Sequence, residues 1–401
     1  MFERFITRQP ILKDNLSLLG YDVRFRPEKN GNGGEANADA VHAGALLMDA
    51  ATMVFHWETV VGQRLAFVEL GAQEVLSGAA LVLPRARTVI QLPAATTPSR
   101  ELLLACQGLK AAGYRLALSR WNGTGDTGPL AAVADFVRLD LRRAAMPDEP
   151  PGAAAGGAIV IAHNVDTWEE HQKARALGLR HFQGDFFLRP QTFRRRAITG
   201  SRQSALRLLQ AVLRSPLDLG AIEEIVREEP ALTYKLLRYL NSPAMERQVE
   251  VRSIRSAIGL LGEQEFRRWA SLVAVATPAT DKPDELLRTG LMRAYFCEQL
   301  ALRRDAAHAY EYFFTGLFSV MDAVLDRPLS EIVEELALSR DVRRALRGET
   351  GELREALTAA IGYEHGDWAA LRRAMQVLSL PEAAAPDCFD AAGRSVAAIL
   401  Q

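Results

Sequence analysis

The stretch Leu177-Gly178-Leu179-Arg180-His181-Phe182-Gln183-Gly184-Asp185-Phe186-Phe187-Leu188-Arg189-Pro190 decides the reading of the chain. Strands alternate with helices before it, and almost every segment after it is helical. Gly178 ends a helix, His181 to Phe187 reads as a short strand interrupted at Gly184, and Pro190 stops the ladder. Gln183, polar and beside that glycine at the mouth of a strand, stands where an α/β barrel places a ligand contact. An ordinary last strand with a turn accounts for the same residues.

Upstream, Phe5 to Leu12 and Ser17 to Arg26 are apolar strands around the polar turn Asp14-Asn15, which predicts a hairpin. Residues from Pro27 to Asp39 are rich in Gly and Asn and predict a loop, with helix signals resuming at Ala40. Strands follow at Leu65–Leu70, Thr88–Leu92, Arg115–Leu118, Phe136–Asp140 and Ile159–Ala162. Between them lie helices at Ala72–Leu83, from Ser99 to Ala112, and at Thr167–Leu177, and a Pro/Gly/Ala loop spans Pro147 to Gly157. Repeated strand, helix, strand spacing predicts a parallel sheet closed into a barrel, so the fold class is α/β followed by all-α.

From Ser201 the apolar period becomes helical. Ala205, Leu209 and Val212 share one face, and Leu219, Ile222 and Val226 share another behind Asp218 as N-cap. Pro230 opens a helix that Asn241-Ser242-Pro243 ends, and helices continue from Ser256–Leu261 through Glu263–Ala276, Leu286–Leu302, Ala306–Leu325, Leu329–Leu336, Asp341–Leu346, Leu353–Tyr363 and Trp368–Leu378. No fixed-period repeat is present, which argues against a solenoid.

The chain has 401 residues and 48% hydrophobic content, enough for two or three cored domains. With 48 basic against 49 acidic residues the formal charge is −1, so no global field holds a nucleic-acid polymer or an anionic membrane, and Arg194-Arg195-Arg196 reads as a solvated linker face. Cys106, Cys297 and Cys388 have no paired spacing and fit free thiols in a reducing compartment. No apolar run is long enough to span a bilayer and the N-terminus lacks a signal-peptide core, so a cytoplasmic location is expected.

Read together, the segments resemble a bacterial two-domain signalling architecture: an EAL-type domain, which in active members hydrolyses cyclic di-GMP on a modified α/β barrel, followed by an HDOD domain. The first part of the resemblance is carried by Arg8-Gln9-Pro10-Ile11, Gly20-Tyr21-Asp22-Val23-Arg24-Phe25-Arg26, Gly113 to Leu118, Val137-Arg138-Leu139-Asp140, Ala162 to Thr167, and Phe182-Gln183-Gly184. The second is carried by Glu229-Pro230-Ala231-Leu232, Leu240 to Pro243, Ser253 to Gly262 and Phe313 to Asp322. The implied domains are residues 1–198 and 199–401, joined through Gln191 to Ser204.

The resemblance also implies a set of metal-binding carboxylates at the barrel end, and the sequence departs from it. Asp22 replaces the glutamate of the Glu-Ala-Leu motif, Glu69 aligns with an Asn, and Gln91 aligns with a Glu. Ser119-Arg120-Trp121-Asn122 stands for Asp-Asp-Phe-Gly, Arg138 for a lysine near the attacking water, and His163 for a glutamate. Hard cations need oxygen ligands, and an arginine repels them. In the helical half the relatives' His-Asp doublet is missing: only His308 and His365 follow residue 200, and Leu287-Arg288-Thr289-Gly290 occupies the region of a Trp-x-x-His segment. These departures lead to the expectation of no enzyme activity, no metal and no cofactor.

The chain is then expected to be a non-catalytic scaffold acting on other signalling proteins, with Tyr310 and Tyr312 as recognition candidates that are equally suited to a core. Asn241-Ser242-Pro243, Ile254, Ile258 and Leu261 are assigned to the fold. The competing reading is a sensor that binds cyclic di-GMP without cutting it, through Gln9, Arg26 and Gln183. Gln9 and Gln183 are equally suited to hydrogen-bonding barrel-end backbone, and Arg26 to a local ion pair. A surviving phosphodiesterase is placed last.

Overall fold

The computed structural model describes residues 6–25, 61–93, 95–121, 128–142, 157–191, 200–228, 258–259, 262–277, 282–304 and 306–400. The loop expected at 27–39, the helix signals from Ala40, Arg26, most of the 147–157 loop, Arg194-Arg195-Arg196, Asn241-Ser242-Pro243, Ile254 and Leu261 lie outside the described residues. The chain divides into two compact units, Met1–Phe187 with Tyr363–Asp367, and Leu188–Gly362 with Trp368–Gln401.

In the first unit eight strands close into a barrel: β1 (Ile6–Lys13), β2 (Leu18–Phe25), β3 (Leu65–Glu69), β4 (Thr88–Pro93), β5 (Arg115–Trp121), β6 (Phe136–Asp140), β7 (Ile159–His163) and β8 (His181–Gln183). β1 runs antiparallel to both β2 and β8, and every other pair is parallel. Alternation of side chains along a strand then layers the interior. Ile11, Phe67, Val89, Ala117, Phe136 and Ile161 form one buried apolar layer, with Phe67 edge-on to Phe136 at 5.2 Å. One pleat away along the same strands come Gln9, Glu69, Gln91, Ser119, Arg138 and His163, so the strand ends carry a polar layer on an apolar floor.

Helices α1 (Ala72–Leu76), α2 (Arg100–Ala111), α3 (Gly128–Val133) and α4 (Trp168–Ala176) connect the strands. Their ends follow local chemistry. Ser99 Oγ accepts from Leu102 N–H at 3.1 Å, and Thr167 with Glu170 forms a reciprocal capping box. The single helix expected at Ala72–Leu83 is divided, because Gly78 turns left-handed at φ 75 and a 3₁₀ turn at Ala79–Val82 follows. The strand expected to run from His181 to Phe187 ends at Gln183. Gly184 has φ 151, and a Cβ there would lie 2.0 Å from the Val165 carbonyl oxygen, so the chain leaves the ladder at a position only glycine fits.

The second unit is helical: α5 (Gly200–Leu213), α6 (Leu219–Glu228), α7 (Glu263–Ala276), α8 (Asp284–Leu302), α9 (Ala309–Phe318), α10 (Met321–Leu325), α11 (Leu329–Glu335), α12 (Arg340–Leu346), α13 (Glu352–His365, whose residues from Tyr363 are assigned to the first unit), α14 (Trp368–Val377) and α15 (Ala384–Leu400). Ala205, Leu209, Val212 and Ile222 are buried, and Asp218 accepts from Ala221 N–H at 3.0 Å. α8 and α9 cross closely, because Gly316 lies where a Cβ would meet the Arg293 backbone at 2.4 Å. Gly290 is likewise fixed by packing, with Val320 2.8 Å from its would-be Cβ. The helix expected at Ala306–Leu325 breaks into a 3₁₀ turn, α9 and α10. Tyr312 is 5% exposed with its hydroxyl at Glu352 and Arg304, whereas Tyr310 is 40% exposed.

Beneath α4, His171 stacks on Phe186 at 4.6 Å and lies 4.3 Å from Phe182, with its Nε2 buried and without a partner. Burial, then Arg175, pushes its pKa down to about 4 against a smaller opposing pull from Asp14. The unfolded imidazole titrates near 6.5 and binds a proton that the folded one refuses, so stability is full above about pH 6.5 and is lost as pH falls toward 4. In chemical denaturation followed by near-ultraviolet circular dichroism, the midpoint is expected to fall between pH 7 and about 4, and to fall less in His171→Phe. Equal falls in the two proteins would count against the assignment.

Candidate functional site at the barrel end

The polar layer converges on Asp22, in β2 and paired in register with Gln9 and Phe67. Asp22 is 2% exposed, Gln91 and Gln183 are fully buried, and Arg138 is 4% exposed. Asp22 Oδ1 accepts from Gln91 Nε2 at 2.9 Å and from Arg138 Nη1 at 3.1 Å. Its Oδ2 accepts from Arg24 Nε at 3.0 Å and from Gln183 Nε2 at 3.1 Å. A carboxylate has about four lone-pair sites, and these donors fill them. Arg138 Nη1 also donates to Gln91 Oε1 at 3.0 Å, and Gln183 Nε2 donates to Gln9 Oε1 at 2.8 Å. Beside this cluster Ser119 Oγ donates to Glu69 at 2.6 Å, and Asn164 Nδ2 donates to Asp140 Oδ1 at 2.8 Å.

The electrostatics follow from this crowding. Burial alone pushes the Asp22 carboxyl up, but Arg138, Arg24 and the hydrogen bonds from Gln183 and Gln91 outweigh it and hold the group well below the usual carboxylate range. His163 goes the other way: burial, then Arg138, pushes it down to about 3, so it is a neutral imidazole throughout the physiological range.

Of the residues singled out in the sequence, Gln9 and Gln183 meet in this cluster, and Arg26 lies outside the described residues. The Arg120 side chain is also outside them, while Trp121 is buried with its Nε1 lacking a partner. Arg24 was not read as part of the site. Its signal was the spacing Asp22-x-Arg24, which puts two opposite charges on one strand face.

Divalent-metal chemistry would need several oxygen donors free to face an ion. Among the described residues no group of three or more His, Cys, Asp or Glu side chains is arranged to hold one. Asp22 has its oxygens filled, and Gln91 and Gln183 turn amide N–H toward it. The described residues do not fit a two-metal centre.

The helical unit contains a cleft of about 1480 Å³ among the α5–α6 connection, the start of α7, α9 and the α11–α12 connection. Phe314, Leu338, Val342, Asp218, Glu263 and Arg267 are among the residues that line it. No helix among the described residues is long and apolar enough to cross a membrane.

The HDOD domain family matches residues 201–371. Over 379 residues the chain is 30% identical to cyclic di-GMP phosphodiesterase CdgJ of Vibrio cholerae serotype O1, covering 92% of this chain and 86% of that one. Among solved structures, an EAL domain protein from Listeria monocytogenes EGD-e is similar over 46% of this chain and 87% of its own, with a TM-score of 0.35 and 15% identity. Klebsiella pneumoniae BlrP1, in a calcium and cyclic di-GMP complex, is similar over 47% and 56%, with a TM-score of 0.37 and 18% identity. The chain belongs to the EAL–HDOD family of two-domain signalling proteins, with an EAL-like barrel and a C-terminal HDOD domain.

The comparison corrects one expectation. The sequence departures led to a non-enzyme, read as a non-catalytic scaffold or as a non-hydrolysing sensor, yet a relative matched along nearly the whole chain is a phosphodiesterase by name. That expectation equated the loss of one ligand set with the loss of the reaction. A ligand set is one means of compensating phosphate charge, and guanidinium groups are another.

The buried Asp22–Arg138 pair generates a stability test. Asp22→Asn leaves a buried guanidinium without its counter-charge, and Arg138→Met leaves a buried carboxylate without its main cation, so each single change is expected to cost about 3–5 kcal/mol. The double variant is expected to cost less than the sum of the two by more than about 1 kcal/mol in a chemical-denaturation cycle. Additive costs would show that the pair is not coupled.

Proposed function

We propose that this chain is a cyclic di-GMP phosphodiesterase and that the reaction takes place over the polar layer at the barrel end. The observation that carries the reading is the 30% identity to the named phosphodiesterase CdgJ, sustained through 92% of the chain. Arg138 and Arg24, which share Asp22, bring two guanidinium groups to this layer that can pair with phosphate, beside the carboxylates of Glu69 and Asp140. Gln9 and Gln183 would orient base or sugar edges and Arg26 would pair with phosphate, which gives the three sequence candidates a common role. In the reaction a water oxygen bonds to phosphorus and the ester bond to one ribose oxygen breaks. That oxygen takes up a proton, the water gives one up, and a linear dinucleotide results. Domain boundaries at 198 and 199 and a cytoplasmic location complete the proposal; the buried free thiols Cys106, Cys297 and Cys388 support the latter.

The test is chromatographic assay of cyclic di-GMP incubated with the purified full chain. The expected outcome is conversion to the linear dinucleotide at a rate proportional to protein, reduced at least about tenfold in Gln183→Ala through loss of an orienting contact. Recovery of the cyclic dinucleotide unchanged across metal and pH conditions would refute the proposal.

A further inference from the structure

We propose that the guanidinium of Arg138 takes the place of divalent cations in this barrel, meeting the scissile phosphodiester directly, and that the centre takes up no divalent ion. The inference rests on the phosphodiesterase reading of the barrel and goes beyond it by assigning the group that touches the phosphate.

Three observations carry it. First, Asp22 has no free oxygen for a cation. Its Oδ1 and Oδ2 each accept from two donors at 2.9–3.1 Å, and an ion bound there would sit against Arg138 Nη1, itself 3.1 Å from Oδ1. Second, the amides are turned the wrong way for a metal. Gln91 and Gln183 both direct Nε2 at Asp22, and Gln91 Oε1 is spent on Arg138. Third, Arg138 is only half used. Both of its hydrogen bonds leave from Nη1, while Nε is buried and has no partner. The Nε–Nη2 edge of a guanidinium is the edge that binds two oxygens of a phosphate side by side. Asp22 and Gln91 therefore fix the plane of Arg138 from one side and leave that fork to a ligand. Gln183 Oε1, buried and also without a partner, supplies an acceptor nearby for a hydroxyl or amino group of the same ligand.

Arg138 then holds the two non-bridging oxygens as water adds to phosphorus and the ester oxygen departs. No electron is transferred, and the proton lost by water is balanced by the one taken up by the leaving oxygen. The fixed charge does the work of an ion without a site for one.

The test compares full-length protein stripped with EDTA with the same protein given Mn²⁺, for wild type, Arg138→Lys and the neutral pair Asp22→Asn/Arg138→Met. Cyclic di-GMP turnover, cyclic di-GMP affinity and Mn²⁺ binding by calorimetry are measured on each. Turnover within about twofold with and without metal is expected, with no Mn²⁺ uptake by the barrel. Loss of the fork should lower kcat/KM in Arg138→Lys by about 100-fold or more, and the neutral pair should melt cooperatively yet lose turnover to the same degree. Turnover only with Mn²⁺, or Mn²⁺ uptake by wild type that is lost in Asp22→Asn/Arg138→Met, would overturn the inference and leave the phosphodiesterase reading standing. Absence of turnover under both conditions would remove that reading. Arg138 would then be judged on metal-free binding alone: affinity unchanged in Arg138→Lys, or no binding at all, overturns its role, and a tenfold or greater loss supports it.

Discussion

One buried carboxylate organises the barrel end. Asp22 is removed from water in the middle of a closed sheet, and an isolated charge there would cost several kcal/mol. It is tolerated because donors from β2, β4, β6 and β8 reach it together: Arg24, Gln91, Arg138 and Gln183. These strands come together only through barrel closure, so the charge depends on the fold and the strand ends are tied together by the charge. The floor beneath follows from the same geometry, since the residues one pleat below must be apolar to fill the interior.

Much of this was legible in the sequence. The strands were marked by apolar runs, and the ends of helices by Ser99, Thr167 and Gly113. The misreadings have local causes. Gly184 reads as an interruption within a strand to Phe187 and not as the end of β8, because nothing in the sequence shows the Val165 carbonyl 2.0 Å from where its Cβ would be. α15 was not identified, its pattern broken by Pro386 and Gly393. Pro386 falls in the first turn, where its missing N–H costs nothing. α15 packs along α8, and Cys297 and Cys388 are buried on these two helices.

The site was legible as residue types and not as hydrogen bonds. Asp22, Gln91, Arg138 and Gln183 could each be placed at a strand end, but which way the amides turn depends on their neighbours. Read singly, Gln91 and Arg138 are poor substitutes for ligands of a cation. Together they form a donor-rich shell around one carboxylate. Counting missing metal ligands therefore led to the expectation of an inactive protein, which the similarity over 92% of the chain to a named phosphodiesterase corrects.

The central claim is that a guanidinium occupies the role of an ion at this centre. The most direct measurement is a crystal structure of the full chain grown with cyclic di-GMP and Mn²⁺, with manganese located by its anomalous signal. The account expects phosphate oxygens of the substrate or product on Nε and Nη2 of Arg138, Asp22 still held by its four donors, and no manganese at the barrel end. A manganese peak about 2 Å from Asp22, with Arg138 displaced from it, would contradict the account.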